Sequence, residues 1–448
     1  MARLWRATIG SFQIRRLAPS PMALKLPLAN VRDRLSTRRQ LRRPSGFRIA
    51  CADTIAQLDP AQWDAVVDGE SWFFSRAYLA MLERVPPAVV EPRYALISDA
   101  AGPVAVVVLQ WAEVDGTRLR PLPKDSEDEL NPLRKLVDKL SRPARAAFAT
   151  RLRERVLVCG NLLTYGQHAV AVADDVEPES VWPAVAEVIY RMRRAEKLAG
   201  QAGFVLVKDI PVDDNAGVAQ LTDLGYRGVE TEPNMVLALD AAWKTHADYL
   251  AGMTSKYRSA VKNQILAPIE KAGIAVRAFA PTGALAARVH ELYLGVHENA
   301  GLRPFTLHPG YFEALADTAG ARVRFTGLFA GPDDTPAALR GFIATLADAR
   351  EAFAYHIGFD KGAEGELPLY LRLLHASIAD AIEMGASELS FGRTALEPKS
   401  RLGAKPREME VWLRHRQPVF NQIVKRLVGF AHHAEAPEAN PFKQAKAG

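Results

Sequence analysis

The sequence predicts a mixed α/β chain made of two tandem domains, and three observations carry that expectation. From residue 49 onward, short β-branched and aromatic runs alternate with amphipathic helical stretches. One unit, the end of a long helix, a glycine stop and then a strand, occurs in both halves, as AEKLAGQAGFVLVKDI and as ADAIEMGASELSFGRT. A composition of 48% hydrophobic and 24% charged residues is that of a globular chain, and roughly 400 residues suffice for two cores of ordinary size.

In chain order, Trp63 to Leu82 contains SWFFSRAYLAMLE, an aromatic-rich helical entry. RYALIS (93–98) and VAVVVLQWAEV (104–114) read as strands, being rich in residues that fit a pleated sheet. The polar stretch 121–155 reads as a loop with one or two helices. RVLVCGN (155–161) and HAVAVA (168–173) are strands, 181–200 is a long helix stopped at Gly200, FVLVKDI (204–210) is a strand, a short helix ends at Gly225, and NMVLALD (234–240) closes the first half. The second half opens with a helix over 245–252, where Thr245 and Asp248 have capping-box spacing. Helices over 255–271 and 283–299 follow, then strands at 322–330, 339–348 and 352–360. A helix over 368–385 carries Leu371, Leu374, Ile378, Ala381 and Ile382 on one face, and a strand at 388–392 ends the series. The expected division is a basic disordered leader over 1–48, domains over 49–240 and 241–430, and a flexible tail over 431–448.

Charge is unevenly spread. The whole chain carries +6 and a pI near 9.2, but residues 1–48 hold 12 Lys and Arg against one acid, Asp33, leaving 45 cations and 50 acids in the rest. A slightly acidic body excludes a general DNA-binding protein, which shows its basic face on the folded domain. Three readings of the leader stay open: an arm that touches anionic membrane or RNA, an organellar transit peptide, and a start placed ahead of a true one at Met22. The longest apolar run, Val104 to Leu109, is far below the roughly 20 residues that span a bilayer. The expected location is cytoplasmic, with peripheral contact to the inner membrane through the leader.

Cys51 and Cys159 are too few for a disulfide framework, and the ten histidines show no HExxH or HxE…CxxC spacing, so no metal is expected. GxGxxG, GxxxxGK[ST] and GxSxG are absent, which removes the usual sequence support for dinucleotide, P-loop and serine-hydrolase chemistry.

The chemistry is expected around AFAYHIGFD-KGAEGE-LPLYLRLLHASIADAIEMG. A strand feeds a loop holding Gly362 and Gly365, and Pro368 opens the helix at a position where its missing N–H costs nothing. The free N–H groups of the first turn, at Leu369 and Tyr370, together with the helix dipole suit a phosphate or pyrophosphate. Two basic clusters are candidate anion ligands. Lys256, Arg258 and Lys262 lie on one helix, Arg258 and Lys262 as like charges at i, i+4, a pairing that costs a few tenths of a kcal/mol. Arg393, Lys399, Arg401, Lys405 and Arg407 follow the last strand, in what reads as an exposed loop broken by two prolines and Gly403. For proton transfer, His356 is the first candidate as base or substrate contact. Strand alternation sends its neighbour Tyr355 to the opposite face. His290, Tyr293 and His297 share a helical face, and Glu298 sits beside that helix's end.

The order of strands, glycine-bearing loop, long helix and strand resembles the acyl-CoA N-acyltransferase (GNAT) fold. More specifically, the chain is similar to the Fem-like branch that pairs two such domains, which includes peptidoglycan aminoacyltransferases and the acetyltransferases found with cellulose and exopolysaccharide genes. The matching stretches are SWFFSRAYLAMLE, YLAGMTSKYRSAVKNQI, ELYLGVHENAGLRPFTLHPGYFEAL, GFIATLADAREAFAYHIGF and AIEMGASELSFGRT, spread over most of residues 70–400. KGAEGE stands where the family's Q/R-x-x-G-x-G/A loop would be. The resemblance implies acyl transfer to an amine, with acyl-CoA (acetyl-CoA) as co-substrate. The implied acceptor is a small molecule or a bacterial envelope precursor, a sugar or an amino-acid-like amine. His356 and Glu298 would be catalytic, Gly362, Gly365, Leu369, Tyr370, Arg393, Lys399 and Arg401 would hold the donor, and Lys256, Arg258 and Lys262 would hold the acceptor. Two alternatives stand beside it: an aminoacyl-tRNA-dependent transferase, which needs a continuous basic surface, and a non-catalytic scaffold that keeps the fold.

Overall fold

A computed structural model describes residues 43–115, 153–198, 200, 202–298, 305–417, 421 and 439–443. The leader up to residue 42, the polar stretch over 116–152 and most of the expected tail lie outside the described residues. Strand β1 (Arg48–Ala52) is followed by helices α1 (Pro60–Val67) and α2 (Arg76–Arg84), then β2 (Val90–Ser98), β3 (Pro103–Asp115), β4 (Arg153–Cys159) and β5 (Val170–Val172). Helix α3 (Pro178–Ala195) leads to β6 (Ala202–Pro211), β7 (Arg227–Glu230) and β8 (Asn234–Ala238). Next come α4 (His246–Gly252), α5 (Ser255–Val261), α6 (Ala267–Lys271), β9 (Ile274–Phe279), α7 (Gly283–His297) and α8 (Tyr311–Ala319). The chain continues through β10 (Val323–Ala330), β11 (Leu339–Asp348), β12 (Glu351–Phe359), α9 (Leu369–Glu383), β13 (Glu388–Ser390), α10 (Leu396–Arg401), β14 (Lys405–Arg407) and β15 (Met409–His415).

Local chemistry explains the helix starts. The Asp59 carboxylate accepts from Gln62 N–H at 3.0 Å with Pro60 at the first helical position, Ser75 caps α2, and Thr245 and Asp248 form the expected capping box. In α3, Pro183 cannot donate to the Glu179 carbonyl four residues back, and the Gln220 side chain donates to it instead at 2.8 Å. The helix expected over 255–271 is broken by a π turn, Lys262–Leu266. Pro268, just beyond it, has no N–H to continue the ladder. Helix α8, β14 and β15 are elements the sequence reading did not name; β14 is only three residues long and holds Pro406.

Two mixed sheets form, ordered β1-β2-β3-β4-β6-β15-β7 with β5 on β3, and β14-β8-β13-β12-β11-β10-β9. Each contains an antiparallel meander (β2-β3-β4 and β10-β11-β12), then a helix crossing over to a parallel strand (β4 with β6, β12 with β13). The two sheets therefore repeat one plan of strands and crossover helix. The strands do not respect a cut at residue 240: β8 pairs with β13 and β14 in the second sheet, and β15 returns to lie between β6 and β7 in the first. Hydrophobic burial decides this exchange. Met235 and Leu237 of β8 join the core under α4 and α9, while Trp412 of β15 joins the core under α3.

One aromatic core runs through both halves. Phe73 packs edge-on to Phe353 and against Tyr355, and Tyr78, Tyr311 and Phe312 are fully buried with them. Residues 441 and 442 of the tail pack back on the second half. Thr254 N–H donates to the Pro441 carbonyl at 2.8 Å, and the Phe442 ring packs on Trp243, Tyr249 and the Cα side of Gly403, where a Cβ would clash. Phe442→Ala is expected to cost about 2 kcal/mol, roughly half the cost of emptying a fully buried phenylalanine site, measured as a lower midpoint in urea unfolding.

Candidate functional site

The two parallel junctions differ. β4 and β6 stay paired from Arg155↔Ala202 to Cys159↔Val207, the end of β4. β12 and β13 pair only from Glu351↔Glu388 to Phe353↔Ser390, so Ala354 to Phe359 have no partner on that side. The second sheet thus opens into a V at its carboxyl edge, where open α/β sheets bind ligands, and the first stays closed. Along the free edge, Ala354, Ile357 and Phe359 face α9.

A β-bulge sits where the V opens. Ala344 is opposite His356 and Thr345 opposite Ala354, so Tyr355 is the extra residue. It cancels the expected alternation: Tyr355 and His356 point to the same face and both bond Tyr311, whose hydroxyl is 3.1 Å from Tyr355 Oη and 3.2 Å from His356 Nε2. Tyr355 Oη also meets Tyr78 Oη at 2.9 Å, and Asn161 Nδ2 donates to Tyr78 Oη at 3.3 Å. A chain of buried polar groups therefore runs from the first half to His356. Burial lowers His356 to about 3, so its imidazole is neutral near pH 7 and a weak base. That favours the substrate-contact role over the base.

Aromatic side chains flank the free edge of β12. The His356 ring lies 6.5 Å from Tyr293 on α7, and Phe359 lies 5.9 Å from Tyr370 on α9. Burial raises Tyr293 and Tyr370 to about 12, and the charge of Tyr165, from the loop after β4, is felt at both. Tyr165 keeps 36% of its surface open, and its ring lies against Gly392. Arg372, one turn into α9, is half-buried, has its pKa lowered by desolvation with Asp380 opposing, and makes no side-chain bond among the described residues.

The expected phosphate cradle is differently arranged. Pro368 is the N-cap and Leu369 the first helical residue. Leu369 N–H bonds the Leu367 carbonyl, Tyr370 N–H bonds the Glu364 carboxylate at 3.0 Å, and Gly362 N–H bonds Asp360 at 3.0 Å. Gly365 ends the short helix Lys361–Glu364. An anion at this helix start must displace Glu364, whose carboxyl is raised by burial although the helix N–H groups oppose it.

The basic clusters are also corrected. Arg258 folds back to cap α4, donating to the Met253 carbonyl at 3.2 Å, while Lys256 and Lys262 are exposed. Residues 393–407 are not an exposed loop but hold α10 and β14. Arg393 pairs with buried Asp209 of β6, Arg401 pairs with Glu397 one turn away at 2.7 Å, and Arg407 bridges Glu351 and Glu388. Lys399 is only 3% exposed and donates to the Gly392 and Arg393 carbonyls at 3.2 and 2.6 Å; burial, against the pull of Glu232, lowers it to about 7. Glu298 is exposed at the end of α7, His290 Nε2 bonds the Leu307 carbonyl at 3.0 Å, and His297 stacks on Tyr293. Among the described residues no group of three His, Cys, Asp or Glu is placed to hold a metal ion, and no helix is long and apolar enough to cross a membrane.

Sequence reading missed Tyr165, Lys208, Asp209 and Arg372. The first three belong to the other half, and only tertiary contact brings them here. Arg372 had a signal, since it lies three residues after Leu369 and so on the same helical face as that first-turn residue.

No family model matches the chain, and no curated protein matches it in sequence. Among solved structures, FemX has a TM-score of 0.48 at 13% identity over 83% of this chain and 98% of its own. A tandem GNAT protein from the clavulanic acid biosynthesis pathway has 0.48 at 12% over 83% and 99%. A GCN5-related N-acetyltransferase from Sphaerobacter thermophilus has 0.39 at 13% over 84% and 97%.

Two outcomes test the local geometry. Lys399→Ala is expected to cost about 2–3 kcal/mol in chemical denaturation, because it strips two carbonyls of their donor and leaves a void. Glu351 lies opposite Glu388 at the closed end of the V, and burial, opposed by Arg407 and reinforced by Glu388, raises its carboxyl to about 7. The unfolded chain gives up this proton first, near pH 4.3, so rising pH up to 7 favours unfolding. Glu351→Gln should raise Tm at pH 8 and leave it nearly unchanged at pH 4, checked by calorimetric scans at both.

Proposed function

We propose that the protein is an N-acyltransferase that takes an acyl group from acyl-CoA and passes it to an amine held beside Tyr165, Tyr293, His356 and Tyr370. The observation that supports this most is the unpaired edge of β12 over Ala354–Phe359. Backbone N–H groups on such an edge suit an extended amide-bearing chain, which adds like a strand, and can polarise a thioester carbonyl. The amine nitrogen attacks the thioester carbon, the C–S bond breaks, and the amine's proton leaves through the cleft while the thiolate is released. Neutral His356 would accept a hydrogen bond from the amine and orient it, itself held by Tyr311. Arg372 is the side chain best suited to the donor's phosphates, together with the helix start once Glu364 moves away.

A tRNA donor is less well supported, because among the described cations of the two clusters Arg258, Arg393, Lys399, Arg401 and Arg407 have internal partners. A scaffold without activity is less well supported by the open V.

Calorimetry with acetyl-CoA, and thiol release in a panel of amines, tests the reading. Wild-type protein is expected to bind and turn over. Ile357→Trp, which fills the open edge, should keep the fold by circular dichroism and weaken binding at least about tenfold, or 1.4 kcal/mol. Folded wild-type protein that binds no CoA thioester would sink the proposal.

A further inference from the structure

At the carboxyl ends of the two parallel strands, β6 and β13, charged residues from both halves meet. β6 is irregular against β15 at this point, the register shifting between Glu410 and Trp412, so Lys208 and Asp209 fall outside the regular ladder, with Asp209 in the left-handed region at φ 56°. The Asp209 carboxylate is wholly buried. It accepts from Lys208 Nζ, from Arg393 Nη2 and, at 3.3 Å, from Gly166 N–H. Lys208 also donates to the Thr164 carbonyl at 2.7 Å. The side chains of Lys208 and Arg393 keep 12% and 21% of their surface open.

The charges do not balance. Two cations face one carboxylate, and among the described residues no other acid is felt at Lys208 or Asp209. Arg393 Nε is buried and has no acceptor. Burying a net charge and an unpaired guanidinium N–H is costly unless a counter-ion completes the group. Tyr165 walls this corner, its ring lying against Gly392 just past β13.

We infer that Lys208, Asp209 and Arg393, with Tyr165 as the wall, form a subsite for a carboxylate, so that the amine acceptor is an amino-acid-like molecule bound by its carboxyl group. The excess of one positive charge matches a monoanion, and a guanidinium fork suits a carboxylate's two oxygens. The amine's role rests on the acyl-transfer reading above, whereas the anion subsite stands on its own contacts.

The test separates the two. Calorimetry on the full chain without any donor compares N-acetylglycinate, its amide and methyl phosphate. The acid is expected to bind at least tenfold more tightly than the amide. Lys208→Met, which leaves Asp209 and Arg393 as a neutral pair, should lose that preference while keeping its unfolding midpoint within a few degrees. Asp209→Asn, if it folds, should strengthen it. Equal binding of acid and amide, no binding of either, an unchanged preference in Lys208→Met, or tighter binding of methyl phosphate would each overturn the carboxylate assignment. Acid binding without thiol release from any acyl-CoA would instead leave the subsite standing and remove the acyl-transfer reading.

Discussion

One extra residue in β12 organises the second half of this protein. The bulge at Tyr355 lies two residues beyond Phe353, the last residue that β12 shares with β13, and a bulge bends its strand and increases its twist. Beyond that point β12 follows β11 and departs from β13, which opens the V. The same extra residue turns Tyr355 and His356 onto one face, so that Tyr311 touches both. The first half has no such bulge in the corresponding pair: β3 and β4 run in unbroken register from Leu109↔Cys159 to Asp115↔Arg153, and β4 stays joined to β6 to its end. The presence of the bulge separates the open sheet from the closed one.

The two halves are held by exchange and by a polar seam inside an aromatic core. β8 and β15 each complete the other half's sheet. Between the sheets, Asn161, Tyr78, Tyr355, Tyr311 and His356 form a continuous hydrogen-bonded chain surrounded by Phe73, Phe353 and Phe312. Buried hydroxyls are expensive unless paired, so such a chain fixes the relative position of its members more tightly than apolar packing would. It also makes the first half, whose own V is closed, a structural support for the site in the second. Tyr165 and the Lys208–Asp209 pair extend that support to the mouth of the cleft.

Much of the fold was legible because it depends on local periodicity and capping. The Thr245–Asp248 box, the glycine-stopped helices and the β-branched runs stand where the sequence puts them, within a few residues. The candidate site was legible only as residue types able to bind an anion. Arg393 and Lys399, read as exposed loop cations, are partly covered and buried respectively and both are engaged, and Glu364 occupies an N–H group expected to take phosphate. Sequence pattern reports which residues can bind an anion. It does not report which internal partner reaches them first.

By itself the sequence determined the class of fold and the tandem plan, since these follow from the spacing of apolar residues and from the turn and cap residues between them. Tertiary structure decided the rest. Which strand joins which sheet depends on burial summed over the whole core, and which side chain shares a face with His356 depends on a one-residue slip that alternation cannot foresee. The pairing of Arg393 with Asp209, 184 positions apart, depends on two strand ends meeting in space. Each of these is a long-range contact, and its energy has no trace in the local pattern.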